Sequence, residues 1–516
     1  MIVYAIIIAV FIFAGILLGR TWLYSGFRDA PEAPKFTDID RQKAAERLGS
    51  AISYETVSRQ HTSQLDDAQF KKQHEFIERS FPLIHKHLKK EVINQCSLLY
   101  TWEGRDKFLK PIMLTSHLDV VPVESGTEDN WLHPPFSGVI RDGYVYGRGA
   151  MDVQCGVMGI LESVEWLLRN GYEPERTIYI GFGHDEEVDG DRGAYAISEL
   201  LEERGISMEY ILDEGLPIAH DLFEGIKNPI ALIAIAEKGY LSLELSVQAA
   251  GGHSSVPQGK TSIAELSEAI EKLENNPMPA RLDGVVRYTF ESMAPSLPFG
   301  YRLAVANMWL FRSAIKRMLA KLPPTNASMR TTTATTIFES GFKENVLPTK
   351  AKAIINFRIH PNDSVESVLK HVRKTINSDR IAIRTLPGYL NPSPVSDIEH
   401  INYKTLETTI REVFPDVTVS PSLMVGATDA RHYTKLTRNL YRFLPLRADE
   451  SDLDRVHGTN ERLSIKNYEE MIRFYIQLLI NSAVTKSDSG EFIMHEIPKT
   501  SNGVAGEKKS RDPGKG

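Results

Sequence analysis

Histidines and carboxylates gather in a few short clusters along this chain. His117 and Asp119 stand two apart in SHLDVVPV, Asp152 closes GRGAMD, Glu186 and Glu187 are adjacent in GHDEEVDG, and Asp213 lies in ILDEG. His457 follows far downstream in VHGTNE. Imidazoles and carboxylates brought together by a fold, without thiolates, are a ligand set for zinc or a similar divalent ion. Two such ions need a bridging carboxylate plus further acids and imidazoles, and the pair can deprotonate a water for attack on an amide. Side chains two apart on a strand share a face, so Asp119 can orient the His117 ring. Adjacent Glu186 and Glu187 point apart, which lets one bind metal while the other acts as a base. Taken singly, each has a plainer reading: a structural histidine, a solvated acidic pair, an N-cap or turn at Asp152 and Asp213. Their coincidence in one domain is what favours chemistry.

The elements that must position them follow from periodicity. Segments 112–121, 177–182 and 208–212 read as strands, with the acids at or near their C-terminal ends, where α/β sheets place their sites. Val157, Ile160, Leu161, Val164, Leu167 and Leu168 recur at helical spacing between the first two. Strands alternating with helices imply an α/β fold with helices on the faces of a sheet. Segment 241–247 alternates apolar and polar residues, and 351–359 is a further strand ending in His360-Pro361. Between them, the Pro-punctuated, Met- and aromatic-rich stretch 276–322 reads as part of an inserted second domain. An amphipathic helix at 468–479 closes the pattern.

Among 516 residues, 42% are hydrophobic and 25% charged, a globular composition with ample apolar material for a core. The net charge of −7 supplies no basic field to draw nucleic acid. Two cysteines, Cys96 and Cys155, make neither a disulfide framework nor a thiolate cluster. Residues 2–18 carry no charge, and as a helix they would span roughly 25 Å. Trp22 and Tyr24 follow where interfacial aromatics belong. The segment reads as an uncleaved membrane anchor rather than a cleaved signal peptide, since no Lys or Arg precedes it. Arg20 and Arg28 behind it would, by charge counting, keep the body cytoplasmic. GGHSSVPQGKT departs from a phosphate loop at Ser254, where glycine is required, and neither HExxH nor GxSxG occurs.

The motifs SHLDVVPV, GRGAMD, GHDEE, GGHSSVP, RTTTATTIFESGFKENVLP, NFRIHP and RVHGTNERL together resemble the zinc exopeptidases that include aminoacylase, bacterial glutamate carboxypeptidase and yeast carboxypeptidase S. The likeness covers about residues 43–483 and looks closest to the carboxypeptidase S and N-fatty-acyl amino acid hydrolase branch. By composition, 1–24 reads as a membrane anchor, 25–42 as a linker and 486–516 as a disordered tail; the likeness speaks for the body between them. The catalytic α/β domain, a mixed sheet between helices, would be in two parts (43–234 and 376–485), split by an inserted α+β lid and dimerisation domain (235–375). It also implies two Zn2+, with Co2+ or Mn2+ as substitutes. Asp152 would bridge them, with His117 and Asp213 completing one site and Glu187 and His457 the other. Glu186 matches the family's general base and Asp119 the aspartate that orients the histidine. His253 matches a histidine that in family dimers reaches the neighbouring active site and stabilises the oxyanion. Asn345 and Arg358 match residues that hold the substrate's carboxylate or carbonyl, and Gly426 a turn lining the pocket. Relatives often carry a Lys soon after the bridging aspartate, whereas Val153-Gln154-Cys155 follow here.

The expected function is therefore carboxypeptidase-type hydrolysis of an amide bond next to a free carboxylate. N-fatty-acyl amino acid hydrolysis or synthesis is the alternative, and a catalytically dead, membrane-tethered binding protein is the remaining one. The lumenal or secreted settings of the relatives put the body on the extracytoplasmic side, against the charge count.

Overall fold

The computed structural model describes residues 1–26, 36, 38–60, 65–220, 226, 228–257 and 259–483. The expected tail 486–516 and most of the expected linker lie outside the described residues. An eight-stranded mixed sheet forms the larger body, in the spatial order Lys89–Ile93, Ser97–Trp102, Ile178–Gly183, Ile112–His117, Tyr210–Ala219, Leu440–Ala448, Ile230–Glu237 and Thr418–Met424. Ile112–His117 runs parallel to both of its neighbours, so the C-terminal ends of three strands share one edge. All six of its residues are buried, as a strand covered on both faces requires. Ile112 and Leu114 pack with Val157, Leu161 and Tyr475 from the helices Gln154–Arg169 and Ile465–Ala483. Met113 points the other way, toward Ile197 and Leu201 of Ala194–Glu203. The fold is thus α/β with a mixed sheet between helical layers.

A second, antiparallel sheet is built from Thr332–Ser340, Lys350–Ile359, Gly239–Gln248 and Ala382–Thr385. Alternation along Gly239–Gln248 buries Leu241, Leu243, Leu245 and Val247. They lie beneath two helices, Ser262–Asn275 and Val365–Ile376. Sheet membership sets limits different from 235–375. Ile230–Glu237 belongs to the larger sheet, and Ala382–Thr385, beyond 375, to the smaller one.

The 276–322 stretch is largely helical and bridges the two sheets: Met278 joins the core of the smaller one and Arg281 pairs with Asp363, while the helices reach the larger one. Thr289 Oγ1 donates to the Pro421 carbonyl (2.8 Å), and Ser296 and Thr418 join hydroxyls at 2.6 Å. Met293, Leu297 and Val305 bury apolar surface with Ile230 of the sheet. Burial of the helices' apolar faces against that edge is the physical reason for the second contact. The helix Ile2–Leu23 is long and apolar enough to cross a membrane, and none of its most apolar window is buried.

Buried histidines tie this fold to pH. Burial lowers His74 and His360 to about 4. The His360 Nδ1 accepts the Asn362 amide (3.2 Å), a bond that needs the neutral ring. An unfolded histidine takes its proton near pH 6.5, so between pH 6.5 and 4 the unfolded chain binds more protons. Stability is therefore complete above that window and falls as the pH is lowered through it. His360→Gln is expected to flatten the pH dependence of the unfolding free energy across pH 6.5–4, by up to about 3 kcal/mol relative to the parent.

Candidate metal centre and cavity

His117 ends its strand with its ring fully enclosed. Its Nδ1 lies 2.9 Å from the Asp119 carbonyl and 3.4 Å from the Asp119 carboxylate. A proton held at Nδ1 leaves the Nε2 lone pair facing outward. There it stands 3.3 Å from Asp152 Oδ1 and 3.3 Å from Glu214 Oε1. The Asp119 carboxylate also accepts the amides of Glu186 and Glu187, at 3.2 Å each. One buried acid thus fixes both the imidazole and the short turn Glu186–Val188.

Asp152 sits between the two histidines. Its other oxygen, Oδ2, lies 3.1 Å from His457 Nε2, and Glu187 Oε2 lies 3.2 Å from the same nitrogen. Burial pushes Asp152 up, but the two histidines hold it well below the usual carboxylate range. Hydrogen bonds donated to the Asp152 and Glu187 carboxylates raise His457 to about 10. Glu187 and Glu186 do point apart: Glu187 reaches His457, whereas Glu186 groups with His117 and Glu214. Burial raises Glu186 well above its ordinary value and Glu214 to about 7.

Two ligand groups emerge, His117 with Glu186 and Glu214, and His117 with Asp152 and Glu187. Four carboxylates facing two imidazoles leave excess negative charge in a desolvated place, and Glu187 Oε1 is buried without a hydrogen-bond partner. That donor set fits divalent cations.

At Asp213 geometry and expectation part. Its Oδ1 accepts the Glu214 amide (2.9 Å) and its Oδ2 the Ala430 amide (2.6 Å), and the carboxylate turned to His117 is that of Glu214. The strand is irregular here: Asp213 pairs with Arg442, but Leu216 pairs with the next residue, Phe443. Gly215, whose added Cβ would meet Arg442, lets the backbone make this shift. The simple two-residue alternation therefore fails at Asp213 and Glu214.

Two more acids escaped the sequence reading. Glu461, four residues past His457 in RVHGTNERL, accepts the amides of Gly149 (2.9 Å), Met151 (2.7 Å) and Asp152 (3.0 Å) and an Arg148 guanidinium nitrogen (2.8 Å). Arg148 in turn donates to the carbonyls of His457 and Gly458. This buried pair joins the loop bearing Asp152 to the loop bearing His457. Asp429, in the quoted VGATDAR, is raised well above the carboxylate range by burial and by Asp213.

The cluster opens into a cavity of about 990 Å³. Asp152, Glu186, Glu187, Glu214 and His457 line it on one side, and Arg358 and Gly426 also line it. Arg358 comes from Lys350–Ile359 of the smaller sheet and stacks over Tyr240 at 4.9 Å. Leu216, Leu444, Leu446, Leu453 and Val456 supply an apolar wall. Beside Arg358, Lys238 is buried and lowered to about 7 by burial and by that arginine's charge. His253 and Asn345 are not brought to this cavity. His253 pairs with Val346 in a two-stranded ribbon, its exposed ring bonded to Ser255 Oγ at 2.7 Å, and the Asn345 carbonyl accepts the Ser254 amide.

Replacing Glu461 by Gln would strand the Arg148 charge among buried groups. A loss of about 3–5 kcal/mol is expected in chemical denaturation, and the double variant Arg148→Met/Glu461→Leu is expected to recover part of it.

Comparison with known proteins gives the same lineage. Residues 113–481 match the model of peptidase family M20/M25/M40. The chain is 44% identical over 451 residues to a probable carboxypeptidase S-like 2 of Dictyostelium discoideum, covering 87% of this chain and 86% of that protein. It is 40% identical over 492 residues to the N-fatty-acyl-amino acid synthase/hydrolase PM20D1.1 of Danio rerio, covering 93% and 95%. Its fold matches that of the M20 family metallo-carboxypeptidase Sso-CP2 from Sulfolobus solfataricus with a TM-score of 0.62 at 18% identity, over 84% of this chain and 98% of that one. Family match, relatives and fold agree: the chain belongs to peptidase family M20/M25/M40 and is a hydrolase of the metallopeptidase type.

Proposed function

We propose that this hydrolase holds two zinc ions and cleaves an amide bond next to a free carboxylate. The observation that carries the reading is Asp152, with one carboxylate oxygen on each of the two histidines and with Arg358 lining the same cavity. In this reading Asp152 would serve both ions, His117 and Glu214 would help hold one, and Glu187 and His457 the other. Asp213 then orients Glu214 by accepting its amide. When bound, such a metal pair polarises the scissile carbonyl and acidifies water. Glu186, freed of ligand duty, takes a proton from the attacking water and returns it to the leaving nitrogen. Arg358, with Lys238 behind it, receives the substrate carboxylate through a bidentate fork. Gly426 lines the pocket without a side chain to narrow it. His253 and Asn345, exposed together on the smaller domain, serve the neighbouring subunit's cavity in a homodimer. The helix Ile2–Leu23 anchors the chain in a membrane, with the body extracytoplasmic.

A second reading, N-fatty-acyl amino acid hydrolysis or synthesis, is favoured by the apolar wall of Leu216, Leu444, Leu446, Leu453 and Val456. The Danio rerio relative carries that activity in its name. Both readings share the carboxylate grip and differ in what lies across the amide. The zinc-loaded full chain is assayed on dipeptides and on N-long-chain-acyl amino acids. Turnover of one panel chooses between the readings, and failure on both with zinc bound defeats them together. Glu186→Gln is expected to keep its zinc and lose about 10²–10⁴-fold in kcat. Metal analysis separates the adjacent acids: Glu214→Gln is expected to lose bound zinc, whereas Asp213→Asn retains more of it.

A further inference from the structure

Outside the cavity, large apolar side chains are exposed along one short stretch, the helices Phe299–Ala306 and Met308–Leu319. Phe299 is 55% exposed, Trp309 57%, Leu310 43% and Met318 44%. The opposite side is anchored: Ile315 and Leu319 pack with Leu282, Val286 and Met329. Residues 309, 310, 314 and 318 recur at helical spacing, so the exposed strip is a continuous face. Exposed Arg317 and Lys321 lie along it.

This face adjoins the apolar N-terminal helix. Arg20 Nε donates to the Ala306 carbonyl at 3.1 Å, and the buried Asn307 amide donates to the Leu17 carbonyl at 3.2 Å. The Trp309 ring meets Phe13 edge-on, with centroids 6.1 Å apart. Arg20 is the first charged side chain in the sequence. Phe13 lies seven residues before it, about 10 Å deeper at the helical rise. A bilayer that accepts Ile2–Leu23 up to Arg20 therefore also meets Trp309, at the depth where interfacial helices bury their apolar faces, about 5–10 Å.

We propose that Phe299–Leu319 is a second membrane contact, an in-plane amphipathic surface that beds the body on the lipid bilayer beside its anchor. Phe299, Trp309, Leu310 and Met318 enter the acyl boundary, while Arg317 and Lys321 meet anionic headgroups. The assignment rests on the proposed anchor and is independent of the catalytic reading, since none of these residues lines the cavity.

Depth measurement in the full chain tests it. Cys96 and Cys155 are buried, so a nitroxide can be placed on Leu310→Cys, on Met318→Cys, on Ile8→Cys in the anchor, and on Phe108→Cys as an aqueous control. The protein is reconstituted in vesicles of phosphatidylcholine and phosphatidylserine. Collisions are read with oxygen, which partitions into lipid, and with a water-soluble nickel chelate. The expected result is oxygen in excess at positions 8, 310 and 318, with the order reversed at 108. Chelate access at 310 and 318 equal to that at 108, with 8 in lipid, overturns the proposal and leaves a tethered body standing off the membrane. Exclusion of both reagents at 310 overturns it in favour of a protein partner, and aqueous access at 8 overturns it by removing the anchor from the bilayer.

Discussion

Negative charge crowded out of water governs this molecule. Asp152, Glu186, Glu187 and Glu214 face His117 and His457 at one edge of the sheet, and each carboxylate loses hydration there. Desolvation drives such groups toward neutrality unless cations or donors intervene. The surrounding chain assigns its donors sparingly. Amides of residues 186 and 187 go to Asp119, those of 149, 151 and 152 to Glu461, and those of 214 and 430 to Asp213. The supporting acids are thereby satisfied from the backbone, and the facing acids keep unspent charge for a cation. The sheet, its helices and the connecting loops can be understood as the means of keeping those two sets apart.

The cavity also carries the opposite sign. Arg358 reaches it from the smaller sheet, and Lys238 follows directly after a strand of the larger sheet. A ligand bearing one carboxylate and one amide therefore meets a field with direction, acid cluster on one side and cations elsewhere on the lining. The leucines that share the lining are neutral and can take an apolar group of the ligand.

Much of this was legible in the residues, for reasons that also mark where reading fails. His117, Asp152 and Glu187 stood out because ligand types gather at or near strand ends, and His457 through its motif; the structure brings their side chains together. Burial on both faces made 112–117 a continuous apolar run that periodicity could locate. Which of Asp213 and Glu214 turns its carboxylate to His117 was not legible, because choosing between neighbours on a strand requires a regular pleat, and Gly215 breaks it. Glu461 was hidden in a motif already quoted for His457; an acid four residues on looks like surface until three amides and an arginine converge on it. The 276–322 stretch was assigned to the inserted domain from its place in the sequence. Its partners on the larger sheet are Ile230 and Pro421, distant along the chain and invisible to local pattern. His253 and Asn345 lie together in the small ribbon away from the cavity, a placement that local pattern does not reveal for Asn345.

The pairing of Lys350–Ile359 with Gly239–Gln248 has a consequence for how the gene can change. Arg358 sits opposite Tyr240, and Phe357, one place earlier, sits opposite Leu241 beneath the helices. Successive residues face opposite sides, so a single codon gained or lost within that strand would exchange the two. Phe357 would swing out into the cavity and the arginine would be driven into a hydrocarbon interior. Substitutions can accumulate along this strand one at a time, but its length is frozen, and variation in length must be carried by the turns at its two ends.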